Sequence, residues 1–161
     1  MRIFFLTVLA CWLNWGAAPL ARPLAEREGW VVMPTELSFD NLVAAVKSAT
    51  KANGMGVVTE AGPTEMAASR GITIPGNKVI GVFNNDFAVK VLATSTAAMI
   101  EAPIRFYITE ASDGMGALAY KTPSYVFAPY MDEGGEELSD LAAALDRKFA
   151  AIAQAAVMSS H

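Results

Sequence analysis

The chain has 161 residues, 53% of them apolar, and a formal net charge of −4 at pH 7. Its 12 lysines and arginines are scattered and form no basic stripe, which argues against nucleic acid as a partner. Its one cysteine, Cys11, falls in an N-terminal leader, and its one histidine, His161, is the last residue. We therefore expect no Ser-His-Asp triad and no Cys- or His-ligated metal, and we predict no cofactor.

The first residues have the pattern of a secretory signal peptide. Arg2 gives a charged start, residues 3–13 are almost wholly apolar, and residues 16–18 are small. We therefore predict a signal peptide over residues 1–21, so that the rest of the chain is exported.

Residues 22–29 are rich in proline, alanine, arginine and glutamate, and we predict that they link the signal to a single domain at residues 30–159. The predicted location is periplasmic or secreted. An uncleaved anchor is the alternative, because residues 3–21 are barely long enough to span a bilayer. In that case the domain faces the periplasm and meets the membrane only through its N-terminal segment.

Apolar periodicity divides the domain into strands and helices. Phe39, Leu42 and Val46 form a stripe at helical spacing, which begins after the N-capping residue Ser38 and ends at Asn53. The predicted elements in chain order are a strand over 30–33 that Pro34 stops, a helix over 39–52, a strand over 55–60, a short helix over 63–70, a strand over 78–83, a helix over 87–102, hairpin strands over 105–110 and 115–121, and a long helix from residue 136.

This order is β-α-β-(α)-β-α-β-β-α. Two strands joined by a tight turn pair antiparallel, and an amphipathic helix buries its apolar stripe against another element. We therefore predict an α+β fold in which helices pack on one face of a single, mostly antiparallel sheet.

Five short blocks of the sequence stand out in chain order. They are Ser38-Phe39-x-x-Leu42, Ala67-x-x-x-Gly71-Ile72-x-Ile74-Pro75, Lys78-Val79-Ile80-x-Val82-Phe83-x-Asn85, Ala102-Pro103-Ile104-Arg105 and Tyr120-x-x-Pro123. In these blocks and their order the chain resembles, over about residues 30–130, the bacterial family of domains of unknown function numbered 302. The resemblance implies a TBP-like α+β fold with a β-α-β-β-β-β-α core, and it implies no activity.

The chain departs from the family pattern at three places. Where the family commonly has Phe-Gly-Asn-Pro, this chain has Phe-Asn-Asn-Asp at residues 83–86. The position at which the family frequently has a histidine falls near Pro63, and this chain has no histidine there. The usual Leu-Pro-Leu-Lys is replaced by residues 102–105, Ala-Pro-Ile-Arg, which keep the cation at Arg105. A site that used the family histidine is therefore lost or altered in this member.

Two groups of residues are candidates for ligand binding. Asn84 and Asn85 lie where a strand leads into a helix N-terminus, where backbone N–H groups can hold an anion or where the side chains simply cap the helix. Arg105 and Tyr107 alternate onto one face of the predicted hairpin, whereas Tyr120 and Lys121 lie on opposite faces of its second strand. A face with arginine and tyrosine suits an acidic or aromatic ligand, although ordinary cross-strand pairs give the same pattern.

We therefore predict an exported, non-enzymatic domain that binds a small molecule or a partner protein, with a homodimer as one of the arrangements considered. The first alternative is a hydrolase or isomerase that uses carboxylates together with Tyr120, Lys121 and Arg105. The second is a structural protein of the cell envelope, which a retained N-terminal segment would favour.

Overall fold

The computed structural model describes residues 24–159, so the predicted signal peptide, residues 22 and 23 of the predicted linker, and His161 lie outside the described residues. The elements are β1 Trp30–Ser38, α1 Phe39–Ala52, β2 Gly56–Ala61, α2 Thr64–Ala68, β3 Asn77–Phe83, α3 Asn85–Thr94, a 3-10 turn Ala97–Glu101, β4 Ile104–Glu110, β5 Met115–Lys121, α4 Pro123–Phe127, a 3-10 turn Ala128–Tyr130 and α5 Met131–Val157. Within the described range, no helix combines the length and hydropathy needed to cross a bilayer.

The strands form one sheet in the order β1-β5-β4-β3-β2, and every neighbouring pair is antiparallel. The predicted α+β fold, with a single antiparallel sheet and helices packed against it, is confirmed. The two outer strands, β1 and β2, are irregular: the register shifts between Pro34 and Ser38 in β1 and between Val57 and Thr59 in β2.

The core lies between the helices and one face of the sheet. In β4 the residues Ile104, Phe106 and Ile108 are buried, while Arg105 between them is exposed. Phe149 of α5 stacks on Phe106 with ring centroids 4.7 Å apart. Burying an aromatic side chain of this size stabilises the fold by about 1.5–3 kcal/mol, so this layer fixes the position of the whole sheet.

Local signals explain where the first helix begins and ends. The Ser38 hydroxyl accepts a hydrogen bond from the N–H of Asn41, and Asn53 forms the C-cap by donating to the Ala49 carbonyl. These are the groups that a helix end leaves without partners. The predicted bounds of this helix are confirmed.

The prediction that Pro34 stops the first strand is wrong. The strand continues to Ser38, because β1 is an edge strand on which the missing N–H of proline removes no ladder bond.

The prediction of one helix over 87–102 is also wrong. Asn84 caps α3, which therefore begins earlier, and α3 ends at Thr94. Ser95 is extended and its hydroxyl accepts a hydrogen bond from the N–H of Ala98, which starts the 3-10 turn. Serine side chains bind nearby backbone groups in this way and so compete with helix continuation.

The region before the last helix differs from prediction as well. Thr122 accepts a hydrogen bond from the N–H of Tyr125, and Pro123 follows it at the first helical position, which together start the unpredicted helix α4. The long helix α5 begins at Met131 and kinks at Gly135, whose φ of 59° only glycine adopts readily.

Candidate binding face

Among the described residues, 24–159, the helices pack on one face of the sheet and the second face carries none. Side chains on a strand alternate between faces, and the register identifies those that point away from the core. We call this surface the open face, and its members include Trp30, Val32 and Pro34 of β1, Thr59 and Ala61 of β2, Asn77, Val79 and Gly81 of β3, Arg105, Tyr107 and Thr109 of β4, and Ala117, Ala119 and Lys121 of β5.

Two cations lie side by side on the open face. The β4–β5 ladder ends at the pair Phe106 and Tyr120, and Arg105 and Lys121 are the next residues of the two strands beyond that pair. Both side chains are exposed. Like charges on neighbouring strands are destabilising, and none of the open-face residues named above is an aspartate or glutamate. In the described part of the chain the ion pairs are Lys47–Glu60 and Lys78–Glu65, and neither involves these two cations.

Trp30 lies next to Lys121, at the edge of the sheet. It pairs with Lys121 in the ladder, and the Lys121 ammonium lies 5.6 Å from the centroid of the indole ring. The Arg27 guanidinium lies 5.7 Å from the same centroid. Cation–π contacts of this kind contribute about 0.5–1 kcal/mol at exposed sites. We call Trp30, Lys121 and Arg105 the basic row.

An apolar row lies beside the basic row. Val32, Ala119, Tyr107 and Val79 are successive partners across four strands. Ala119 is only 1% exposed, because larger side chains flank it on both sides. The Tyr107 hydroxyl accepts a hydrogen bond of 2.6 Å from the Asn77 amide, which holds the ring in place. The result is a flat apolar platform, and we call these four residues the apolar row.

Tyr120 does not join Arg105, Tyr107 and Lys121. It lies on the helix face, 5% exposed, with its ring at 5.3 Å and edge-on to Phe106. Burial raises the pKa of its phenol, and the nearby Asp146 carboxylate raises it further. The structure therefore brings three of the four predicted hairpin residues to one surface and places the fourth in the core.

Asn84 and Asn85 lie apart from the basic row, at the end of β3. The Asn84 carbonyl oxygen accepts hydrogen bonds from the N–H groups of Asp86 and Phe87, and its amide donates to the Gly54 carbonyl. The side chain is thus fully engaged in capping α3 and in joining it to the loop before β2. Asn85 is exposed and begins the helix.

The carboxylates that could form an acid–base pair are each engaged with a different partner. Tyr130 donates to Glu101 over 2.7 Å, and this hydrogen bond raises the pKa of the tyrosine. The four partnerships are Glu60 with Lys47, Glu65 with Lys78, Glu101 with Tyr130, and Glu110 with the backbone N–H of Gly76. Among residues 24–159 no cluster of three or more His, Cys, Asp or Glu residues could hold a metal ion.

The structure also contains two concave sites, neither of which is lined by Arg105, Lys121 or Trp30. A cleft of about 320 Å³ opens at the start of α1, and its walls include Asp40, Lys78 and Glu110. A narrow apolar cavity of about 40 Å³ lies between α3, α5 and the sheet. Sequence reasoning missed the cleft because its walls come from four segments that are distant along the chain. Only the charge of Asp40 and Glu110 could have indicated it.

These features define a class: an α+β domain whose antiparallel sheet is covered by helices on one side and carries a basic and an apolar row on the other. The chain belongs to the family of domains of unknown function DUF302, whose model matches residues 31–156. The crystal structure of an uncharacterized conserved DUF302 protein from Bacillus stearothermophilus has the same fold, with a TM-score of 0.70 and 16% identity, over 80% of this chain and 98% of that one. No curated protein matches the chain. The comparisons thus establish family and fold and leave the activity open.

Proposed function

We propose that this protein is an exported, non-enzymatic binding domain that holds its ligand or partner against the open face. The observation that carries the proposal is the two exposed cations Arg105 and Lys121, which follow the last pair of the β4–β5 ladder and take part in neither ion pair of the described residues. Such an arrangement costs stability in the free protein. An anion bound between the two cations would remove that cost.

The scarcity of thiol and imidazole groups supports a binding role over catalysis. The only thiol and imidazole, at Cys11 and His161, stand near the two ends of the chain. The hydrolase alternative relies on Tyr120, Lys121 and Arg105, and Tyr120 lies on the opposite face of the sheet with a raised pKa. A buried neutral phenol cannot act together with the two exposed cations.

Mapping by amide chemical shifts tests the location of binding. The protein purified from an exporting host would be titrated with pools of small molecules while the shifts of the backbone amides are followed. We expect shifts in β1, β4 and β5, which carry the basic row. Binding that perturbs only the cleft near Asp40 and Glu110, or no binding to any pool, would contradict the proposal.

Export is tested separately, because it depends on the N-terminal segment. N-terminal sequencing of the protein secreted by an exporting host should give a start within or after residues 18–25, where the small residues of the leader end. An intact Met1 on membrane-bound protein would instead support the envelope anchor.

A further inference from the structure

We propose that the ligand of the open face is a small planar aromatic molecule that carries a carboxylate or phosphate group. This inference rests on the proposed function and adds the chemical class of the ligand. In it, the acid group binds between Arg105 and Lys121, and the ring lies on the apolar row, next to Trp30.

The charge of the face selects an anion. The protein as a whole has a net charge of −4, yet the basic row is cationic and is joined by Arg27 at Trp30. An arginine offers a planar fork of donors and a lysine a compact charge, and both bind carboxylate and phosphate oxygens. An acid group between them would accept hydrogen bonds from both side chains and neutralise their repulsion.

The apolar row and the neighbouring Trp30 favour a flat ring. Trp30 and Tyr107 lie on the strands on either side of β5, and the small residue Ala119 lies between Val32 and Tyr107. Neighbouring rows are about 7 Å apart, because two residues of an antiparallel strand span that length. An aromatic ring with an acid group on it covers a similar length, so one small molecule reaches both rows.

The charge of the face argues against a second copy of the chain as the occupant. Two copies face to face would bring two basic rows together, at a cost that a small anion does not have.

The experiment compares ligands that differ in one property each. Naphthalene-2-carboxylate and 2-naphthyl phosphate would be titrated by calorimetry and by amide shifts, beside the neutral 2-naphthalenemethanol and the non-aromatic cyclohexanecarboxylate. We expect each aromatic acid to bind about tenfold or more tightly than the neutral alcohol, because a charge-assisted hydrogen bond to a cation is lost in the alcohol. The relative affinities of the carboxylate and the phosphate identify the acid group preferred.

Substitutions at Arg105 and Lys121 test whether these two residues bind the acid group. Arg105→Gln and Lys121→Gln should each weaken binding of the aromatic acids about tenfold and leave the affinity for the alcohol unchanged. Both side chains are exposed, so both variants should fold. Lys90→Gln on α3 removes an exposed cation from the helical side and should bind like the parent protein.

The possible results separate the two proposals. If the alcohol binds the open face as tightly as the acids, the ligand class is wrong and the binding face stands. If no probe and no pool of small molecules shifts the amide signals of β1, β4 or β5, both the proposed binding face and the proposed ligand class are wrong. If sedimentation shows a dimer that Lys121→Glu dissociates, the occupant is a second copy and the inference is overturned.

Discussion

Phe149 of α5 lies almost parallel to Phe106 of β4, with ring centroids 4.7 Å apart and planes inclined by 23°. Both rings are fully buried. Tyr120 of β5 completes the cluster at 5.6 Å from Phe149. Three aromatic rings thus join the longest helix to two adjacent strands in the middle of the sheet.

Replacing Phe149 should destabilise the fold strongly. Phe149→Ala removes the ring that covers Phe106 and is expected to lower the free energy of unfolding by about 3–5 kcal/mol. Urea denaturation followed by circular dichroism measures the change. Val89→Ala, at a site that is 58% exposed, is the control and should change it by less than about 0.5 kcal/mol. Equal losses for the two variants would mean that Phe149 does not join the helix to the sheet.

The buried tyrosine predicts how stability depends on alkaline pH. Burial raises the pKa of Tyr120 above its ordinary value of 10.0, and Asp146 adds to the effect. A folded pKa above the unfolded one gives stability that is fully present below the unfolded pKa and is lost as the pH rises through the folded pKa. The free energy of unfolding should therefore fall above about pH 10.

The Tyr120→Phe variant should lose less stability over the same range, because it has no phenol to ionise there. Tyr130, whose pKa is raised by its hydrogen bond to Glu101, acts in the same direction. The double variant Tyr120→Phe/Tyr130→Phe should therefore show the smallest change of the free energy of unfolding with pH. Urea denaturation from about pH 8 to about pH 11 gives the comparison. A parent protein whose stability stays constant over this interval would contradict the prediction.

Alanine substitutions at two glycines with the same backbone conformation distinguish backbone strain from side-chain overlap. Gly29 has φ +70° and Gly54 has φ +71°, so an alanine at either position is strained by about 1–2 kcal/mol. A Cβ at Gly29 would also overlap the ring of Tyr125, whereas a Cβ at Gly54 would meet nothing within 4 Å. Gly29→Ala should therefore lower the melting temperature clearly more than Gly54→Ala. Equal shifts would show that the Tyr125 ring moves aside at little cost.

The role of Asn84 is open to a direct test. Asn84→Ala removes the oxygen that accepts from two N–H groups of α3 and should cost about 1 kcal/mol of stability. Asn84→Asp keeps that oxygen and should recover most of the loss. Neither variant should alter binding of the aromatic acids at the open face. A loss of affinity for the aromatic acids in Asn84→Asp would show that Asn84 takes part in binding them.

Removing one of the two neighbouring cations should make the free protein more stable. Arg105→Gln eliminates the like-charge contact with Lys121 and is expected to raise the free energy of unfolding by a few tenths of a kcal/mol at low salt. The gain should shrink at about 1 M salt, where the Debye length is about 3 Å. Thermal melts at both salt concentrations measure it. A gain that does not depend on salt would point to a cause other than charge.

Much of the fold could be predicted because local signals and tertiary packing agree. Ser38 and Asn53 bound the first helix as their side chains suggest, and the alternation of Arg105 and Tyr107 shows which face of β4 is solvated. The break at Ser95 could not be predicted, because the apolar residues after it continue a helical pattern that the side-chain hydrogen bond to Ala98 interrupts.

The open face was only partly visible in the sequence. The grouping of Arg105 and Tyr107 follows from alternation within one strand. The position of Lys121 next to Arg105 depends on the register of the hairpin, and Trp30 reaches it only because the first strand pairs with the last. Strand order and register are non-local, so the basic row appears only once the sheet is assembled.

The irregular ladders of β1 and β2 have a consequence for solubility at high concentration. An outer strand with an unbroken row of N–H and C=O groups is a template on which further chains polymerise. Here both borders of the sheet are interrupted, one at Pro34 and the other near Thr59. Growth of fibres from either border is therefore opposed by the backbone itself, and this leaves the broad surface between the borders free to carry exposed aromatic and aliphatic side chains.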